Sequence, residues 1–317
     1  MPTAGYEIDL LRLRGLDRRN PVRAAGAVRL AAAAVPAARR ALRDRGAEAV
    51  LGGGGYVAGP AGLAALSLRL PLVLTEADRH LGLTNRMLAR RARRVCLAFP
   101  IAGREGERYL VTGRPVPAAI VGADRDRARE RFAIAAEARC LLVFGGSQGA
   151  RSINLCALDA FAGAAAADRD FHVLHISGSR DYAEALERLG AARRYTLLPY
   201  EPDLGDALAA SDLVLARAGG SIFEIAAAGR PSILVPYPYA AARHQHANAE
   251  WMAEAGAAVV VEDSELDPAR LRGLAGELLA DDERLREMAA AAKGRARPDA
   301  AQRIVAEVLA AIREAPG

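Results

Sequence analysis

Cys140-Leu141-Leu142-Val143-Phe144-Gly145-Gly146-Ser147-Gln148-Gly149-Ala150-Arg151 is the stretch that decides the fold. An apolar run ends in a glycine turn and a helical pattern continues to about Phe161, so the segment reads as a buried strand, a tight loop and a helix. Such a loop turns backbone N–H groups and the positive end of the helix toward one point, where the Ser147 hydroxyl adds a further donor. A phosphate or diphosphate suits that arrangement. The sequence has no GxxxxGK[ST], which removes the P-loop reading. The next strand, Phe171 to Ile176, runs into Ser177-Gly178 without the acidic residue that a dinucleotide site uses on its ribose, which disfavours nicotinamide cofactors.

The same rhythm recurs on both sides. Short β-branched or leucine-rich runs, each followed by glycine and a helical pattern, occur at Ala49 to Leu51, Leu70 to Leu74, Asp212 to Ala216 and Ser232 to Pro236. Strands alternating with helices predict an α/β fold of parallel sheets covered on both faces, with ligands at the carboxyl ends of the strands. The break at Gly113 to Pro117 and a charged helical stretch from Asp124 to Glu137 put a domain boundary near residue 117. Residues 1–117 then form one domain that reads as short and incomplete, with about three strand candidates and an opening in mid-pattern at Gly5 to Leu10, so that either its sheet is unusually small or the chain lacks its beginning. Residues 118–298 form a second. After helices at Pro268 to Ala280 and Asp282 to Lys293 and a break at Pro298, a last amphipathic helix over 299–317 packs back toward the first.

Composition agrees with two globular domains in 317 residues, 52% hydrophobic and 26% charged. With only 6 Phe, 8 Tyr and 1 Trp, base-stacking platforms for nucleic acid are disfavoured. Cys96, Cys140 and Cys156 show no CxxC spacing, so a reducing, cytoplasmic setting is expected without disulfides or a zinc ribbon. No stretch reads as a signal peptide or a membrane span. The net charge of +5 is uneven: residues 1–117 hold 20 Arg against 9 Asp and Glu, and the remainder is net acidic. The basic half faces an anionic partner or simply carries a solvated arginine-rich surface; both readings stand.

Three further motifs follow predicted strands. Gly52-Gly53-Gly54-Gly55-Tyr56-Val57-Ala58-Gly59-Pro60 is a turn that lets a substrate approach the backbone, or a plain strand-to-helix connection. Arg217-Ala218-Gly219-Gly220-Ser221-Ile222-Phe223-Glu224 carries either an S-x-x-E capping box or a Glu224 carboxylate placed to accept from a ribose diol. In Arg243-His244-Gln245-His246-Ala247-Asn248, two alternating histidines make an incomplete metal set, so no metal is expected. Gln245 and Asn248 share one face of a helix start and suit neutral sugar hydroxyls.

Together these turns, with Glu224-Ile225-Ala226-Ala227-Ala228-Gly229-Arg230-Pro231 and Gly82-Leu83-Thr84-Asn85, resemble the MurG family in order and spacing over nearly the whole chain. The resemblance implies a GT-B architecture, two Rossmann-like domains around a cleft, and inverting transfer of N-acetylglucosamine from UDP-GlcNAc to the MurNAc 4-hydroxyl of lipid I. It implies UDP-GlcNAc contacts at Gly146, Ser147, Gln148, Gly149, Arg217, Ser221, Glu224, Gln245 and Asn248. An acceptor side is implied at Gly54, Gly55, Tyr56, Gly59 and Asn85. Neither a cofactor nor a catalytic metal is implied. The partners would be UDP-GlcNAc, lipid I and the anionic inner face of the cell membrane, with the protein cytoplasmic and peripheral.

The departures are specific. The family opens with a GGTGGHxxP loop whose histidine is a candidate general base, and the present sequence starts at a point corresponding to some way beyond it. Where the family reads HEQN this chain has Thr75-Glu76-Ala77-Asp78, and where it reads GNPVR it has Gly113-Arg114-Pro115-Val116-Pro117. Glu76 and His80 are therefore the catalytic candidates on the acceptor side. The alternatives are another UDP-sugar transferase or isomerase, and a non-catalytic UDP-sugar binder.

Overall fold

In the computed structural model, which describes residues 5–15, 20–146, 149–163, 170–240 and 244–315, every strand pairing is parallel. Each strand is therefore joined to the next by a crossover, and most crossovers are helical. Contacts divide the chain into two units, Met1–Arg114 with Asp299–Gly317, and Pro115–Pro298. The boundary expected near 117 thus lies just inside the second unit.

The first unit is built on β1 (Val50–Gly52), β2 (Leu72–Glu76), β3 (Arg94–Leu97) and β4 (Tyr109–Val111), in that spatial order. Its first helices are α1 (Pro21–Asp44), α2 (Ala58–Ser67) and α3 (Leu83–Leu88). Alternate residues of a strand face opposite sides, and here both sides are covered. Leu72 and Leu74 pack with Val50, Leu88, Val95 and Leu97, while Val73 and Cys96 turn the other way onto Ile304 and Ala311 of the last helix, Ala300–Arg313. That is why Leu70 to Leu74 reads as an unbroken apolar run.

The second unit carries β5 (Arg139–Phe144), β6 (Phe171–Ile176), β7 (Tyr195–Leu198), β8 (Leu213–Ala216), β9 (Ser232–Leu234) and β10 (Ala258–Val260), in the order β10-β9-β8-β5-β6-β7. Its helices are α4 (Ala118–Val121), α5 (Arg125–Arg131), α6 (Arg151–Phe161), α7 (Tyr182–Leu189), α8 (Leu204–Ala210), α9 (Ile222–Ala227), α10 (His244–Ala253), α11 (Pro268–Ala280) and α12 (Asp282–Arg295). The strand order runs one way from β5 to β7 and the other way from β8 to β10. The reversal lies between β5 and β8, the place where connecting loops part and leave a crevice at the carboxyl ends. Leu141, Val143, Val173, Leu213 and Leu215 bury one face of this sheet against Ile153, Ala157 and Phe161 of α6 and Leu271 and Ala275 of α11.

Three sequence expectations need correction. Gly5 to Leu10 forms no strand; Glu7 and Asp9 instead pair with Arg45, just past the end of α1, each at 2.6 Å. The helix expected from Asp124 to Glu137 stops at Arg131, because Ala133 takes a left-handed φ of 54° and the buried Arg129 guanidinium holds the carbonyls of Ala135 and Ala136. The arginines Arg86, Arg90, Arg91, Arg93 and Arg94, whose crowding in the sequence reads as a helical stretch, do not lie on one helix, since α3 ends at Leu88 and Arg94 already opens β3.

Asp212 ties the amino ends of β5 and β8 to α5. Its buried carboxylate accepts from Arg125 at 2.6 Å, Arg129 at 3.0 Å and the Cys140 amide at 2.9 Å. Removing one partner from a buried charge cluster strands the others. Asp212→Ala is expected to cost about 3 kcal/mol or more of second-unit stability, read from a urea unfolding midpoint; a loss well under about 1 kcal/mol would contradict this role.

Candidate functional site

The turn after β5 stands at the sheet's reversal point. Gly145 makes it possible by close approach: a methyl group there would overlap the backbone nitrogen and Cβ of Ala150. The chain therefore folds back on itself and starts α6 almost on top of the strand end. Gly149 has φ of 73°, and a methyl on it would overlap the Ser177 carbonyl oxygen from the loop after β6. The Gly149 amide donates to the Gly146 carbonyl at 2.9 Å, closing the turn. Of the expected diphosphate contacts, Gly146 and Gly149 are thus placed at the reversal point, while Ser147 and Gln148 lie outside the described residues. Helix α6 has Ala150 at its cap position and no side-chain cap bond among the described residues, an arrangement suited to an acceptor at its first N–H groups.

Across the reversal point, the loop after β8 behaves differently from its sequence reading. Arg217, expected to touch UDP-GlcNAc, is turned inward. It pairs with Asp263 at 2.6 Å, donates to the Ser152 hydroxyl at 2.6 Å and to the carbonyls of Val235 and Pro236, and lies under the Tyr237 ring. Its charge is neutralised within the protein, and its work is to hold the carboxyl ends of β8 and β9 against the start of α6. Ser221 occupies the cap position of α9 with helical backbone angles and makes no side-chain cap bond, so the capping-box reading fails on its serine. Glu224 stands in the first turn of that helix.

Helix α10 brings its motif onto the same edge. Gln245 Oε1 accepts from the Tyr237 amide at 2.9 Å, with its Nε2 beside Gly219, and Asn248 Nδ2 donates to the Ala218 carbonyl at 3.0 Å. Each amide thus spends one end on a neighbouring loop. Asn248 Oδ1 is buried without a partner among the described residues, as is Nδ1 of His246, whose Nε2 is 3.0 Å from Glu262. Buried polar atoms of folded proteins are nearly always satisfied, so these two are left to water or to a polar ligand.

The first unit gathers the acceptor-side set at the carboxyl ends of β1 and β2. Gly54 packs against the Asn85 amide, Gly59 against Thr84, and Gly55 and the half-exposed Tyr56 complete the turn. Asn85 is 1% exposed, donates to the Thr75 carbonyl at 2.9 Å and to Glu76 at 3.0 Å, and leaves its Oδ1 unpartnered. Glu76 corrects the sequence reading. Its Oε1 accepts from the amides of Ala77 and Asp78, and its Oε2 from the Gly82 amide and Asn85. Every lone pair of the carboxylate is spent on the loop that it organises. Glu76 is a loop anchor in place of the general base expected of it, and His80 is an exposed residue on that loop.

Sequence reading missed Ser152, Asp263 and Asn154. Only the structure brings Asp263 onto Ser152 at 2.7 Å, and the two stand 111 positions apart in the chain.

Residues 1–97 match the glycosyltransferase family 28 N-terminal domain and residues 140–304 the glycosyltransferase family 28 C-terminal domain. The UDP-N-acetylglucosamine--N-acetylmuramyl-(pentapeptide) pyrophosphoryl-undecaprenol N-acetylglucosamine transferase of Moorella thermoacetica is 41% identical over 323 residues, spanning 98% of this chain and 86% of that protein. The transferase of the same name from Rubrobacter xylanophilus is 39% identical over 100% of this chain and 93% of its own length. The crystal structure of Acinetobacter baumannii MurG superposes with a TM-score of 0.74 at 31% identity, covering 90% of this chain and 79% of that one.

The close approach at Gly145 is open to test. Gly145→Ala is expected to destabilise the second unit by about 1–3 kcal/mol. Gly53→Ala, where a methyl meets open space, should change stability by less than about 0.5 kcal/mol. Equal urea midpoints for the two variants would show that the turn does not depend on this contact.

Proposed function

We propose, since this chain belongs to the MurG family within glycosyltransferase family 28, that it transfers N-acetylglucosamine from UDP-GlcNAc to the MurNAc 4-hydroxyl of lipid I, forming lipid II for peptidoglycan. The observation that carries the reading is the uncapped start of α6 at the strand-order reversal, flanked by orphaned amide atoms suited to sugar hydroxyls. The acceptor hydroxyl attacks the anomeric carbon from the face opposite the nucleotide, its O–H bond and the bond to the diphosphate break, and UDP and a proton leave with inversion at that carbon. Negative charge grows on the diphosphate as that bond stretches. Backbone N–H groups and the positive end of α6 are already oriented toward the place where it grows, so they stabilise the transition state without reorganising.

The carry-over of roles follows the motifs. Gly146 and Gly149 face the diphosphate, and the motif extends that role to Ser147 and Gln148, which lie outside the described residues. Glu224 accepts from the ribose, and Gln245 and Asn248 read the sugar with the amide atoms that the loops leave unused. In the first unit, Glu76 and Asn85 shape the turn at Gly54 to Gly59 that meets the acceptor. As the family resemblance implies, no cofactor is part of this reading. The setting we propose is the cytoplasmic face of the membrane, with the protein peripheral: no helix among the described residues is long and apolar enough to cross a membrane. The arginine-rich first half, with Val22, Val28 and Leu30 of α1 exposed, suits contact with anionic lipid.

Glu224→Ala is expected to raise the KM for UDP-GlcNAc at least about tenfold, the scale of hydrogen bonds to a charged group, while unfolding stays cooperative. Unchanged KM would remove Glu224 from the ribose. Labelled GlcNAc should move from UDP-GlcNAc to lipid I and not to diacylglycerol or free sugars; transfer to those acceptors in preference to lipid I would overturn the acceptor assignment.

A further inference from the structure

Strand β6 turns Phe171, Val173 and His175 toward α6. The first two are core residues, with Phe171 edge-on to Phe161 at 5.5 Å between ring centres. At the third position, where the pattern calls for another apolar side chain, stands an imidazole that is fully buried. Burial pushes His175 down to about 3, so the ring is neutral and carries a single N–H.

The hydrogen bonds around that ring have only one consistent direction. Asn154, in the first turns of α6, spends its amide protons on the Ser177 carbonyl at 2.8 Å and the Asp181 carboxylate at 3.0 Å. Its Oδ1, 3.0 Å from His175 Nε2, can only accept, so Nε2 carries the ring proton. Nδ1 then accepts, and the partner 2.7 Å away, the Tyr195 hydroxyl on β7, donates. A single file of donors runs from Tyr195 through His175 and Asn154 to the loop after β6.

That file ends on the group that seats the glycine turn. The Ser177 carbonyl is the atom on which Gly149 rests, close enough that no methyl fits between them, and Asp181 flanks the same point. The Ser177 amide is pinned from behind by the Leu198 carbonyl at 3.0 Å. An aliphatic side chain at 175 would fill the space, but it would leave Asn154 Oδ1 buried without a donor and free its amide to swing away from Ser177.

We propose that His175 is a positioning residue for the nucleotide-sugar site: it holds Asn154, and through it the Ser177 carbonyl, against Gly149, and so sets where the turn at the start of α6 stands. This rests on the UDP-sugar reading of that turn. His175 touches no substrate; it acts through two intervening groups.

His175→Leu and His175→Gln separate this role from a purely structural one. Glutamine can donate through Nε2 to Asn154 and accept through Oε1 from Tyr195, whereas leucine can do neither. His175→Leu is expected to weaken UDP binding in calorimetry and raise the KM for UDP-GlcNAc about tenfold, with kcat and the KM for lipid I within about twofold of wild type. His175→Gln should recover most of that loss. Folded His175→Leu with a lowered melting temperature but wild-type affinity for UDP would overturn the proposal. Should the leucine variant fail to fold, Tyr195→Phe, which deletes only the far hydroxyl, carries the test: a severalfold weaker UDP affinity supports the file of donors, and unchanged affinity overturns it. A wild-type chain that bound no UDP would remove the UDP-sugar reading and this inference together, whereas wild-type binding with all variants unchanged removes the inference alone.

Discussion

Gly145 and Ala150 approach so closely that no side chain fits at residue 145, and from that contact the arrangement of the second unit's ligand edge follows. Because strand β5 and helix α6 are joined by so tight a turn, the helix begins at the end of the strand with its first N–H groups uncapped. Because β5 is also where strand order reverses, the loops from β6 and β8 part on either side and leave that helix start accessible. Glu224, Gln245 and Asn248 are then delivered to the same edge by α9 and α10, which follow β8 and β9.

Each unit by itself spends charged and polar groups on positioning. Arg217 joins Ser152, Asp263 and two backbone carbonyls, and Glu76 in the first unit satisfies three amides and Asn85. A charge withdrawn from water is tolerable only when its hydrogen-bonding capacity is filled, and these two are filled by the chain itself. Among the described residues, Asn85 Oδ1 in the first unit and Asn248 Oδ1 in the second are buried amide oxygens left without a partner. Backbone N–H groups to meet a diphosphate and neutral amides to meet sugar hydroxyls are the complement expected for a nucleotide sugar.

Sequence reading located the central strands well, because β5, β6 and β8 are buried on both faces and read as largely apolar runs, β6 being interrupted only by His172 and His175. It missed β4, β7 and β10, which stand at sheet edges and are partly exposed, and β3, whose four residues follow directly on a run of arginines. The glycine turns were legible because positive φ and close approach leave few other residues possible. The direction in which a long polar side chain turns was not. Arg217 and Glu76 sit inside motifs that point to ligand or proton chemistry, yet their partners are set by loops that only folding brings near. His175 gave no local signal, since its partners Tyr195 and Asn154 lie about twenty residues away on either side.

The central claim is that the start of α6 binds the diphosphate of a nucleotide sugar. Calorimetric titration of the chain with UDP and, separately, with uridine tests it most directly. UDP should saturate at one molecule per chain, and uridine, lacking the diphosphate, should bind at least about a hundredfold more weakly, the scale of two charge-assisted hydrogen bonds. Equal affinity for the two, or no saturable heat with UDP, would contradict the account.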